Sequence, residues 1–403
     1  MAVVKDEDCA LFNSFFWAGF ECATGYNVHK EWIDQVAATE HDIFADDDYR
    51  RLSEVGIRVA REAIRWPLVD RRGRYDFSTV EPFLRASREH GVEIIHDLFH
   101  YGYPEDVDLF SDHFPARFAD YCYHAAQYVA ARTDGVCYFT PINEPSYLAW
   151  AGGQVGLFSP HAQDRGWELK VCLARAAIQG INAIRAACPY ARIINVDPLC
   201  RVVVPDERED LKQESDYFNS NVVFQCFDML SGRLMPELGG SPEHLGTVGL
   251  NYYWTNQWNA EMPGVPVHND DPSRQPLRHL LRYVWERYGA EIVITETSHI
   301  GDMRPVWLRE LGREAEASLD EGVPLGGICL YPILGMPEWH VRHVWSQMGL
   351  WDLEPRGGRL ERVIHAPMLE ALREAQQRLD NPRASSKLRM ARLNSQSAQW
   401  GAR

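Results

Sequence analysis

Two glutamates with distinctive neighbours stand out in this chain. Glu144 lies in Thr140-Pro141-Ile142-Asn143-Glu144-Pro145 and Glu296 in Ile294-Thr295-Glu296, and each ends a short apolar, β-rich run. Two carboxylates facing one cleft are what cleavage of a glycosidic bond requires. One acid protonates a poor leaving group, and the other carboxylate attacks, or supports water attacking, an oxocarbenium-like centre. Pro145 stops its strand and drives Glu144 toward an extended backbone. Asn143 is placed to donate to a sugar hydroxyl. Arg61 and Tyr253, also at strand ends, suit Glu296, because a cation and a phenol favour the ionised form that a nucleophile needs.

These residues need a scaffold that brings distant strand ends together. Eight β-rich runs are found: Phe15–Phe20, Ile57–Arg61, Val92–Leu98, Val136–Ile142, Arg192–Asp197, Thr247–Asn251, Glu291–Thr295 and Gly326–Leu330. Between them lie amphipathic stretches such as Asp46–Val55, Val80–His90, Pro115–Arg132, Glu168–Ala187 and Arg304–Leu319, with apolar residues at three- and four-residue steps. Pro115 suits a first helical turn, and Gly91 sits just past a helix end. The alternation predicts an α/β fold, a single-domain (β/α)8 TIM barrel over residues 1–380, with its site at the carboxyl ends of the strands. An open doubly wound sheet is the rival, but no Gly-rich phosphate loop follows any strand. Residues 381–403 read as a polar, basic tail.

Composition narrows the function. The chain has 403 residues, 45% hydrophobic and 24% charged, a globular profile. Its net charge of -16 argues against nucleic acid and membrane-surface partners. Nine scattered cysteines without a C-x-x-C pair suit free thiols in a reducing compartment, and the acidic N-terminus lacks an apolar signal core, so a cytoplasmic location is expected. No cofactor or metal is expected. His96 and His100 share a strand face and form a weak metal pair, better read as a core histidine and a sugar contact. Glu62, Asp97, Glu105 and Asp106 are rival carboxylates, of which Glu62 is close enough to the mouth for a binding role. The oligomeric state is left open.

The motifs together resemble the family 1 glycoside hydrolases, the β-glucosidase and β-galactosidase family. Phe16-Trp17 with Ala23-Thr24-Gly25-Tyr26-Asn27 is similar to the family's first-strand motif, with Asn27 where glutamine is usual. Thr140–Pro145 resembles its acid/base motif, Gly249-Leu250-Asn251-Tyr252-Tyr253 its strand-six motif, and Ile294-Thr295-Glu296 the approach to its nucleophile. The resemblance implies a retaining β-glycosidase, with Glu144 as acid/base, Glu296 as nucleophile, and Arg61, Tyr253 and Asn143 in support. It further implies a carbohydrate substrate whose far end meets Asn27, His100, Tyr331, Glu338 and Trp339. Departures from the family pattern are Thr297-Ser298 after the nucleophile, Tyr331 in place of a tryptophan, and Gly335-Met336-Pro337 before Glu338-Trp339. They bear on sugar specificity rather than on reaction type, and they leave a close relative in the same superfamily of barrel glycosidases as the alternative family. A transglycosidase with the same glutamates and a silent sugar-binding barrel are the alternatives. The latter should have lost one glutamate, and both are present.

Overall fold

The computed structural model describes residues 12–380. Residues 1–11 and the basic tail at 381–403 lie outside that range. Eight parallel strands close into a barrel: β1 Phe16–Gly19, β2 Val59–Ala63, β3 Glu93–Asp97, β4 Tyr138–Thr140, β5 Arg192–Pro198, β6 Thr247–Asn251, β7 Ile292–Thr297 and β8 Leu325–Leu330. Neighbours in the barrel are neighbours in sequence, and β1 pairs with both β2 and β8 to complete the ring. Each run expected to be a strand overlaps one, with ends shifted by up to two residues. The fold is the single-domain (β/α)8 barrel.

Helices surround the barrel: α1 His41–Glu54, α2 Glu81–His90, α3 Phe114–Ala130, α4 Gly166–Ala187, α5 Glu209–Ser220, α6 Leu277–Tyr288, α7 Arg304–Asp320 and α8 Ala366–Leu379. Pro115 falls in the first turn of α3, where its missing N–H costs nothing, and Gly91 ends α2 with φ of 63°. Two apolar layers follow from strand alternation. Trp17, Val59, Ile95, Tyr138, Ile194, Val196, Val293 and Cys329 form one cluster and fill the interior. The alternate strand residues face the helices and join the larger cluster. Gly327 makes room for Trp17, since a Cβ there would sit 2.5 Å from its ring. No reading of the sequence placed the antiparallel hairpin Trp351–Arg356 with Arg359–Ile364 that precedes α8. Among the described residues no helix is long and apolar enough to cross a membrane, and eight cysteines are free.

Candidate active site

Glu296 reaches the barrel mouth through a defect in its strand. Val293 faces the interior and Ile294 the helices, so strict alternation would turn Glu296 outward. The pairing of β7 with β6 shifts register between Ile294 and Glu296. Such a bulge re-aims the side chain. Glu296 consequently points inward, while Thr297 takes the indole N–H of Trp307 on α7 at 2.9 Å.

Arg61 Nη1 donates to Glu296 Oε1 at 2.6 Å, and the Tyr253 hydroxyl donates to Oε2 at 2.8 Å. The Arg61 guanidinium is fully buried. It also reaches the Thr295 carbonyl at 3.2 Å, Asn143 Oδ1 at 2.6 Å and Asp97 Oδ2 at 2.7 Å. Burial alone would raise the Asp97 carboxyl. The charge of Arg61 and the bond to His100 Nδ1 at 2.9 Å outweigh it and hold Asp97 below the usual range. Cys22 joins Asp97 and His100 in a buried trio of metal-ligand types, but Arg61 already supplies the cation there.

Glu144 has a different environment. Its oxygens accept from Asn251 Nδ2 at 2.9 Å and from the Tyr101 hydroxyl at 2.5 Å. Among the described residues no arginine or lysine forms an ion pair with it. Burial, then the charge of Glu296, pushes its carboxyl well above the usual carboxylate range, against the pull of Tyr101 and Asn251. The extended backbone expected before Pro145 is not found. Glu144 is left-handed, φ 45° and ψ 59°, because its N–H pairs with the Val196 carbonyl at 3.1 Å and the chain turns at once into the short helix Pro145–Leu148.

The remaining expected residues divide into two groups. Asn143, His100 and Tyr331 join the network: Asn143 Nδ2 lies 3.3 Å from His100 Nε2, and the Tyr331 hydroxyl 3.3 Å from the same atom. Asn27 and Glu338 stand outside it. The Asn27 amide is fully buried and spent on its own loop, accepting from the His29 and Glu31 N–H groups and donating to the Trp339 carbonyl. It supports Trp339 instead of facing a ligand. Glu338 accepts from the Ser346 hydroxyl and lines a neighbouring groove with His29, Gln35, Arg342 and His343. Trp339 packs edge-on against Tyr101 at 5.6 Å, on the Glu144 side.

Among the rival carboxylates, Glu62 turns outward to His41 and Tyr49 on α1, at 2.8 and 3.1 Å, so it has no place in the mouth. Glu105 takes the Tyr26 hydroxyl. His96 packs on Phe139 and is pushed down to about 4 by burial, a neutral core histidine. A third carboxyl escaped the sequence reading. Glu21 is buried two residues past β1 and accepts the Ala23 N–H at 2.9 Å. Burial raises its carboxyl against the opposing charge of His100. The strand-end position was the only available signal for it.

Known structures share the closed eight-stranded barrel that brings these two differently held glutamates to one mouth. No family model matches the chain. A family 1 β-glucosidase from Thermotoga maritima superposes with a TM-score of 0.74 at 16% identity, over 91% of this chain and 98% of that one. The β-glucosidase from the same organism in complex with glucoimidazole gives 0.74 at 16% identity, over 92% and 99%. Human lactase/phlorizin hydrolase is 24% identical over 169 residues, which is 38% of this chain; the chain spans 8% of that protein's length. The structural neighbours are thus family 1 β-glucosidases, and the likeness establishes the fold.

Proposed function

We propose that this chain is a retaining β-glycosidase acting on a terminal β-linked sugar. One observation carries the reading: of two glutamates at the mouth, Glu296 is held by a buried guanidinium and a phenol, whereas Glu144 has no cation partner among the described residues and a raised pKa. Environments that separate two carboxyls in this way assign them opposite roles. Glu296 attacks the anomeric carbon, while Glu144 gives its proton to the departing oxygen, breaking the glycosidic bond and leaving a glycosyl ester on Glu296. Glu144, now a carboxylate, takes a proton from water as that water attacks the same carbon. The ester breaks, the sugar is released with its original configuration, and both glutamates return to their starting states.

The β-glucosidase neighbours and the lactase/phlorizin hydrolase match support a β-glycosidase. Asn143, His100 and Tyr331 supply hydroxyl-binding groups, and Trp339 an apolar face, as a neutral pyranose requires. The buried free thiols fit a reducing, cytoplasmic setting. The test is hydrolysis of a panel of aryl β-glycosides with the anomer of the first-formed sugar followed by NMR. Retention is expected. Inversion, or no turnover across the panel, would overturn the reading.

A further inference from the structure

We propose that Asp197 is a positioning residue for the acid carboxyl of Glu144, acting through Ser146. The proposal rests on the reading of Glu144 as proton donor. Asp197 lies near the carboxyl end of β5. Ile194 and Val196 face the interior, so alternation places Asp197 on the outer face, behind the mouth and away from the reacting atoms. It is 1% exposed, and both its oxygens accept from Ser146, with Cys226 also in hydrogen-bond reach. Oδ1 accepts the Ser146 N–H at 3.0 Å and Oδ2 the Ser146 hydroxyl at 2.5 Å.

The geometry around Glu144 shows what this grip does. Pro145 has no N–H, so Ser146 carries the first backbone donor after the acid. On the other side, the Glu144 N–H is bonded to the carbonyl of Val196, the residue before Asp197. Two consecutive residues of β5 therefore hold the chain on both sides of Glu144. A left-handed glutamate before proline is an unfavourable conformation that persists only when its surroundings over-determine it. The Ser146 hydroxyl is also 3.3 Å from Cys226 Sγ. Burial raises the Asp197 carboxyl to about 6, against the Ser146 hydroxyl and the charge of Lys170, which is buried nearby on α4 with its Nζ 2.9 Å from Gln225 Oε1. Without the carboxylate, nothing comparable would orient Ser146, and the Glu144 side chain would lose its fixed line to the leaving oxygen.

The experiment uses the full chain and two glycosides of the sugar it hydrolyses best: an alkyl glycoside, whose alkoxide needs a proton, and a dinitrophenyl glycoside, which does not. For Asp197→Ala, kcat/KM on the alkyl glycoside should fall on the order of 100-fold, as misplacement of a catalytic group does, and on the dinitrophenyl glycoside less than about threefold, since proton donation is not needed there. Ser146→Ala, which removes one of the two bonds, should show the same split at smaller size, and it carries the test if Asp197→Ala does not fold. Equal losses on both substrates, or no loss on either, in a variant that still unfolds cooperatively in urea would overturn the proposal. Glu144→Gln is the control. A split there without one in the Asp197 and Ser146 variants removes Asp197 alone, whereas no split in Glu144→Gln removes the acid assignment itself.

Discussion

Arg61 and Glu296 meet at 2.6 Å although they arrive from β2 and β7, with β1 and β8 between them in the barrel. The contact exists because both side chains turn inward, one by strand alternation and the other by the bulge in β7. Arg61 also pairs with Asp97, so a single guanidinium compensates two buried carboxylates. Arg61→Met should therefore cost both activity and stability. Asp97 would be left buried with only His100, and breaking a buried pair costs about 3–5 kcal/mol. Loss of the cation beside Glu296 should lower kcat/KM by about 100-fold or more. Urea unfolding and steady-state kinetics measure the two effects, and a variant as stable as the parent would contradict this account of Asp97.

The two glutamates should respond differently to amide substitution. On the proposed mechanism Glu296→Gln keeps the shape and removes the attacking oxygen, so turnover should stop on every substrate. On the same mechanism Glu144→Gln removes the proton donor, worth about 10²–10⁴-fold; in kcat/KM the loss should appear on poor leaving groups and nearly vanish on activated aryl ones, whose kcat should still fall because the second step then lacks its base. Equal losses on both substrate types would argue against Glu144 as the acid.

The apolar runs located all eight strands, and the strand-end rule brought Glu144, Glu296, Arg61, Tyr253 and Asn143 to one mouth. Alternation on β2 could have excluded Glu62, since adjacent residues of a strand face opposite ways and Arg61 faces inward. Glu21 had one signal, its place just past the first strand run, and a lone carboxylate between Phe20 and Cys22 adds no motif to it. The role of Asn27 was hidden for another reason. Residue type suggests a sugar contact, but whether an amide faces a ligand or its own loop depends on the turn it closes, here through His29, Glu31 and Trp339.

The basic limb of the activity profile should report Glu144. Its pKa is raised, so the acid form survives past the ordinary carboxylate range and activity is lost as pH rises through that pKa. Tyr101 donates to the carboxylate and thereby favours the charged form. Tyr101→Phe removes this bond, so the folded pKa should rise further and the basic limb should move to higher pH. Asn251→Ala should move it the same way. A shift of kcat/KM to lower pH in Tyr101→Phe would show that another group governs the limb.

His41 is buried between Asp48 at 2.7 Å and Glu62 at 2.8 Å, and Arg362 of the C-terminal hairpin joins the same Asp48 at 2.8 Å. The network ties α1 to β2 and to the strand Arg359–Ile364, outside the barrel and away from the mouth. Burial by itself would lower the His41 pKa. The charge of Glu62 and the bonds to Asp48 and Glu62 outweigh it and raise the pKa from 6.5 to about 9. A histidine whose folded pKa exceeds its unfolded one binds its proton more tightly in the native state. Its contribution is complete below about pH 6.5, declines between there and about pH 9, and is gone above. A shift of that size corresponds to on the order of 3 kcal/mol. Urea unfolding across this range should show stability falling with rising pH. His41→Leu should lie below the parent at pH 6, because Glu62 then keeps only Tyr49 as partner, and its stability should change less between pH 6.5 and 9. Arg362 still compensates Asp48 in that variant, so the fold has a reason to survive the substitution. A variant with the parent's slope over this interval would mean that His41 is not the titrating group.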